Sequence, residues 1–190
     1  MKSSSAKAAA DPHHTAPEYQ KMEATHIRIR ALEPEDLDNL YAIENDSATW
    51  ALGVTNVPYS KYLLHDYIAN SNGDIYHDGQ ARMAVENERS EVVGIIDIMD
   101  FSAAHQRAEI GIVIKKEHRH KGYATEALQL IKNYALRILH LHQLYAIISC
   151  DNKEAVNLFL HNGFETQVVL KEWLYDGKKH HDAQIMQLFL

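Results

Sequence analysis

The run Ala108-Glu109-Ile110-Gly111-Ile112-Val113-Ile114-Lys115 is strand-like, and after three intervening residues Arg119-His120-Lys121-Gly122-Tyr123-Ala124-Thr125 opens a helix. That helix is marked by Ala124, Ala127, Leu128, Ile131, Tyr134, Ala135 and Ile138, which recur near the 3.6-residue period and share one apolar face. Its first amides have no intrahelical partner, so with the positive end of the helix dipole they form a site for phosphate or another anion. Arg119, His120 and Lys121 add donors and charge, and Gly122 and Ala124 are small enough to let backbone approach a pyrophosphate. The turn is neither a P-loop nor a Gly-x-Gly-x-x-Gly dinucleotide turn. A plainer reading, a basic turn that only caps an exposed helix, stays open at this point.

On the N-terminal side, His26 to Leu32 alternates polar and apolar residues as a half-buried strand does. Pro34 then starts a helix with Leu37, Leu40, Tyr41 and Ile43 on one face, and Ser60 caps a second helix carrying Leu63, Leu64, Tyr67 and Ile68. Ala81–Glu86, Val92–Phe101 and Ala108–Lys115 are strands joined by turns short enough for an antiparallel meander. Beyond the long helix come a strand at Leu144–Ser149, a helix at Lys153–His161 stopped by Asn162-Gly163, and strands near Phe164–Tyr175 and Ala183–Leu190. The order β-α-α-β-β-β-α-β-α-β-β predicts an α/β fold with a mixed, mostly antiparallel sheet flanked by helices.

Residues 1–20 are Ser-, Ala-, Lys- and His-rich with no apolar period and read as a disordered arm or an appended tag, which leaves residues 21–190 as a single domain. The 190-residue chain has a formal charge of −7, which argues against a nucleic-acid surface and favours cationic partners. One cysteine, Cys150, excludes an internal disulfide; with no signal-peptide run and no apolar stretch long enough for a membrane span, the expected setting is cytoplasmic. The histidine groups His118/His120, His140/His142 and His180-His181-Asp182 lack a third ligand at a recognisable spacing, so no metal site is expected.

Arg119-x-x-Gly122-x-Ala124 resembles the Arg/Gln-x-x-Gly-x-Gly/Ala signature of the GCN5-related N-acetyltransferases, and Asn152-Lys153-Glu154-Ala155 with Leu158-Phe159 and Asn162-Gly163-Phe164 is similar to that family's second segment. Leu32-Glu33-Pro34-Glu35-Asp36-Leu37, Gly94 through Asp100, and Gln106-Arg107-Ala108-Glu109 resemble its branch of bacterial spermidine/spermine and ribosomal-protein N-terminal acetyltransferases. The resemblance implies acetyl-CoA as co-substrate, without a metal, in a V-shaped cleft between two splayed strands. The backbone of Ile112, Val113 and Ile114 would pair with the pantetheine arm, with the Ile112 amide as an oxyanion donor. The turn Arg119, His120, Lys121, Gly122, Tyr123, Ala124 and Thr125 would cradle the pyrophosphate, and Asn152 and Phe159 would line the other side. It also implies a small cationic amine or a protein N-terminus as acceptor, and leaves room for a homo-oligomer.

Acetyl transfer needs a neutral amine, so a carboxylate beside the cleft must take a proton. Asp97 and Glu109 are the expected catalytic pair, with Asp100 a weaker candidate; Asp97 stands among Ile95, Ile96, Ile98 and Met99, where an unpaired carboxylate would be costly. An outward-facing strand position is the alternative for each. Two departures from the family pattern matter. Phe159 stands where many members carry a thiolate-protonating Tyr, so Cys150, Tyr145, water or unaided departure must serve, and a non-catalytic acyl-CoA sensor stays open. Asn56-Val57 precede Pro58-Tyr59 where the spermidine enzymes have an acidic pair, which weakens a polyamine assignment. Trp50, Tyr59, Trp173 and Tyr175 are candidates for an acceptor pocket.

Overall fold

The computed structural model describes residues 26–46, 58–71 and 73–190. The N-terminal arm, Trp50 and the Asn56-Val57 pair lie outside these described residues. Strand β1 (Ile27–Ala31) buries Ile27 and Ile29, and Arg28 and Arg30 on its other face meet the buried carboxylate of Glu86. Arg30 also forks onto Asp36 at 2.6 and 2.9 Å, fastening β1 to the 3-10 turn Pro34–Asp36 that leads into α1 (Leu37–Glu44). Helix α2 (Lys61–Asn70) starts where the sequence places it, with the Ser60 hydroxyl accepting the Leu63 amide. A one-turn helix, α3 (Ile75–Asp78), was not legible in the sequence; the Asp74 carboxylate caps it and left-handed Gly79 closes it.

Strands β2 (Ala81–Asn87), β3 (Val92–Ser102) and β4 (Arg107–Ile114) form the expected antiparallel meander. Gly94 permits the closest part of it, since a Cβ there would stand 2.3 Å from the Val113 carbonyl oxygen. Helix α4 (Tyr123–Arg137), β5 (Gln143–Ser149), α5 (Lys153–His161), β6 (Glu165–Tyr175) and β7 (His180–Phe189) follow, with β7 starting three residues before the sequence reading placed it. The sheet order is β1-β2-β3-β4-β5-β7-β6, and β4–β5 is its parallel pair.

Alternation along the strands divides the core. Ile96, Ile98, Ala108, Ile110, Leu144 and Ala146 face α4 and α5, where Ala127, Leu128, Ile131, Ala135 and Phe159 cover them. Ile95 and Val113 face the opposite side, against Leu40 and Ile43 of α1 and Leu64 of α2. Helices therefore cover both faces of the sheet. Tyr41 and Leu63, expected on apolar helix faces, are exposed.

Candidate active site

Pairing between β4 and β5 runs only through Arg107↔Gln143, Ala108↔Leu144 and Glu109↔Tyr145. Past Glu109 the strands part, so a gap opens toward their C-terminal ends. One rim is the free edge of β4. The Lys115 amide bonds the Val93 carbonyl on β3 at 2.9 Å. Because backbone groups alternate sides along a strand, those of Val113 also face β3, and those of Ile112 and Ile114 face the gap. Arg119 confirms the direction: its Nε donates to the Ile114 carbonyl at 3.1 Å. Of the three residues expected to present backbone to a cofactor arm, Ile112 thus turns its amide and carbonyl toward the gap; the Ile114 carbonyl is shared with Arg119, and Val113 instead packs its side chain toward α1 and α2.

The gap's mouth lies between two turns. On the β4 side, Arg119, His120, Lys121 and Gly122 are exposed, Gly122 is left-handed at φ +86° with open space where a Cβ would stand, and the first α4 bond runs from the Glu126 amide to the Gly122 carbonyl. The amides of Tyr123, Ala124 and Thr125 precede that bond and belong to the unpaired first turn. His120 also takes a positive φ, a further sign of the tight path the turn follows. On the β5 side, Asn152 caps α5, its Oδ1 accepting the Ala155 amide at 3.1 Å. Phe159 is 3% exposed and lies edge-to-face against Phe164 with centroids 4.9 Å apart, inside the core beneath the gap.

The carboxylates sit on the α1/α2 face. Asp97 lies beside Gly111, and Glu109 lies between Met99 of β3 and Tyr145 of β5. Asp97 is gripped by Arg82, whose Nε and Nη2 donate at 2.8 and 3.1 Å, and Arg82 also reaches Glu44 of α1 at 2.7 Å. The Tyr67 ring covers the guanidinium at 5.8 Å. Burial pushes the Glu44 carboxyl up, against the pull of Arg82. The sequence expectation that Asp97 needs a partner is met by an arginine the sequence reading did not single out; a β2 residue at the Asp97 register, Arg82, was the available signal.

Glu109 has different surroundings. Burial pushes its pKa above the usual carboxylate range and the charge of Asp100 pushes the same way, with the backbone amide of Ile147 on β5 opposing both. Among the described residues no lysine or arginine forms an ion pair with it. Asp100 stands at a bulge with φ +44°, where it accepts Tyr145 Oη at 2.5 Å and Arg107 Nη1 at 2.7 Å, and these donors hold its carboxyl low. Tyr145 is pushed above the ordinary phenol value by burial and by that bond. Of the aromatics expected at an acceptor pocket, Tyr59 joins the α1/α2 cluster, whereas Trp173 and Tyr175 lie exposed on β6 at the far edge of the sheet. Among the described residues no helix is long and apolar enough to cross a membrane, and no three His, Cys, Asp or Glu side chains gather as metal ligands.

The fold is shared with known proteins. Spermidine N(1)-acetyltransferase of Escherichia coli K12 is 27% identical over 166 residues, covering 87% of each chain. The ribosomal-protein-serine acetyltransferase of the same strain is 22% identical over 161 residues, 84% of this chain and 90% of that one. The crystal structure of spermidine N-acetyltransferase from Vibrio cholerae in complex with CoA and spermine superposes with a TM-score of 0.78 at 25% identity, covering 87% of this chain and 96% of that one. With the GNAT acetyltransferase domain model matched over residues 26–165, the chain belongs to the GNAT acetyltransferase family.

Proposed function

We propose that this acetyltransferase moves the acetyl group of acetyl-CoA to a primary amine of a small polycationic acceptor of the polyamine class. The observation that carries the reading is Glu109: a half-buried carboxylate with a raised pKa, at the closed end of the β4–β5 gap and without a cation of its own. A cationic amine entering from the α1/α2 face meets Glu109 and Asp100, and a base with a raised pKa is better matched to taking its proton than an ordinary surface carboxylate.

The residues at hand fit acetyl-CoA. The open space at left-handed Gly122 and the unpaired amides of Tyr123, Ala124 and Thr125 suit a pyrophosphate, with Arg119, His120 and Lys121 supplying charge. The free β4 edge at Ile112 accepts an amide-bearing arm as an added strand would, and Asn152 bounds it from the β5 side. Bound there, the thioester supplies the acyl group. The Ile112 amide then stands where it can donate to the thioester oxygen as negative charge builds on it. Glu109 takes the amine proton directly or through one water. The departing thiolate has an ordinary thiol pKa near 8.5 and leaves without the family's tyrosine, or takes a proton from water.

In this reading Asp97 is part of the acidic wall beside the acceptor, its charge already met by Arg82, and Glu109 is the base. The similarity to a ribosomal-protein acetyltransferase supports a protein N-terminus as a second acceptor class. The test is release of CoA followed with a thiol-reactive dye across spermidine, spermine, short diamines and peptides beginning with Ala or Ser, with Gly122→Glu as the control. Release with the polyamines, lost in folded Gly122→Glu, is expected. Release with peptides alone moves the acceptor to proteins, and CoA binding without release toward any amine overturns the enzymatic reading in favour of a sensor.

A further inference from the structure

An imidazole on β7 ties down the turn that carries Asn152. His181 on β7 is 17% exposed, with Nδ1 2.6 Å from Asp151 Oδ2 and Nε2 2.8 Å from Asp176 Oδ2. Asp151 immediately precedes Asn152 in the β5–α5 turn, and Asp176 sits in the turn between β6 and β7. The β5–β7 ladder ends at Ser149↔Ala183, and one further backbone bond, Cys150 N–H to the Asp182 carbonyl at 2.9 Å, follows it. His181 therefore extends the fastening past the ladder, onto the rim of the gap.

A neutral imidazole has one N–H and one lone pair, so it can donate to one of two flanking carboxylates and must turn a lone pair toward the other. Both contacts hold together only in the imidazolium. The two anchors are unequal. Asp176 also accepts the Lys178 and Lys179 amides at 2.8 and 2.9 Å, which hold it in its turn, whereas the Asp151 side chain is 69% exposed. On deprotonation, Asp151 is the anchor that lets go.

We infer that His181 is a positioning residue for cofactor binding: as an imidazolium it latches the Asp151–Asn152 turn onto β7 and keeps the β5 rim of the gap in the cofactor-binding arrangement. The inference rests on the proposed role of Asn152 beside acetyl-CoA. The charged groups around His181 are Asp151 from the β5–α5 turn, and Asp176 and Lys179 from the β6–β7 turn; the carboxylates raise its pKa and Lys179 opposes them. The nearest further pair, Lys171 with Asp182 at 2.7 Å, is already satisfied and lies next to Cys150. His180, the neighbour on β7, stacks on Tyr175 and points away from the latch. Because the folded pKa of His181 is raised, the latch is closed below it and opens as pH rises through it.

The test is calorimetric titration of the full chain with desulfo-CoA, which lacks the titrating thiol, between about pH 6.5 and about pH 9. Wild-type affinity should fall by about fivefold across that range, the low end of ordinary coupling between two sites. His181→Arg, a permanent cation with several donors, should keep the tight binding at both ends, and His181→Gln should bind weakly at both. Asp151→Asn, whose amide can meet either form of the imidazole, should lose the pH dependence. A flat wild-type profile, or the full wild-type fall retained in His181→Gln or Asp151→Asn, overturns the latch. Amide hydrogen exchange over residues 152–156, corrected for its intrinsic pH dependence, reads the same latch without ligand: protection should drop with rising pH in the wild type and stay low in His181→Gln. Loss of protection together with no desulfo-CoA binding at any pH would remove the cofactor reading and leave the latch standing.

Discussion

Two acidic clusters share the α1/α2 face of the sheet, and the sequence treats them alike. In one, Glu44 and Asp97 converge on Arg82, which carries a charge for each to share and a tyrosine ring as cover. In the other, Glu109 and Asp100 stand on neighbouring strands, and the one arginine present, Arg107, goes to Asp100. In the first cluster both carboxylates reach the same cation, which braces α1 against β2 and β3. The second leaves Glu109 half-buried at the apex of a gap, with no lysine or arginine paired to it among the described residues. Which cation reaches a strand carboxylate is decided by residues on neighbouring strands rather than by its own sequence context.

The contrast is broken most sharply at Glu109. Glu109→Gln keeps the shape but cannot take a proton, so kcat/KM should fall by about 10²–10⁴-fold, the range a positioned general base contributes. Desulfo-CoA affinity should stay within about twofold, since the amine and not the cofactor meets this group. A Glu109→Gln enzyme with near wild-type turnover would return the residue to a bystander on the strand.

Arg82→Met comes next and acts on the other cluster. It leaves Asp97 and Glu44 facing each other without a cation, which should cost about 1.5–3 kcal/mol in denaturant melts, the usual range for losing hydrogen bonds to a charged partner. The loss should shrink as pH falls toward the carboxylate range, because protonated carboxyls no longer repel. Asp97→Asn is milder. With its charge spent on Arg82 rather than on substrate, kcat/KM should drop by less than about tenfold, a difference under about 1.4 kcal/mol. A loss as deep as that of Glu109→Gln would make Asp97 the base and reverse the assignment of the two clusters.

Much of this was readable beforehand, and the parts that were not share a cause. The strand–turn–helix from Ala108 to Thr125, the Ser60 cap and the Lys153–His161 helix are local patterns, set by period, capping residues and a left-handed glycine, and they fold where the sequence puts them. Helix α3 escaped because four residues are too few to show a period, and its cap is an Asx contact from Asp74 that reads equally well as a loop. Glu109 was found from its place in a family-like segment, but nothing local announces that β4 and β5 stop pairing just beyond it. The Arg82 grip on Asp97 and the Asp151 contact of His181 are long-range, joining residues 15 and 30 positions apart across paired strands. Sequence spacing is blind to register until the strands are paired.

The smallest expected effect separates the two carboxylates inside the chemical cluster. The negative charge of Asp100 is one of the forces raising Glu109, after burial, while the Ile147 amide opposes both. A base must be ionised to act, so kcat/KM should climb with pH along an acid limb set by Glu109, displaced above the ordinary carboxylate range. Asp100→Asn removes that neighbouring charge without changing shape, so Glu109 ionises more readily and the limb should move to lower pH. The displacement should be less than about one pH unit, because burial, the larger cause, is untouched. The amide can still accept from Tyr145 and Arg107, so the pH-independent rate above the limb should change little. A limb that stays in place in Asp100→Asn, while Glu109→Gln removes activity, would mean that the titration controlling the rate belongs to another group, such as the acceptor amine itself, and that Glu109 acts as an anchor for its charge.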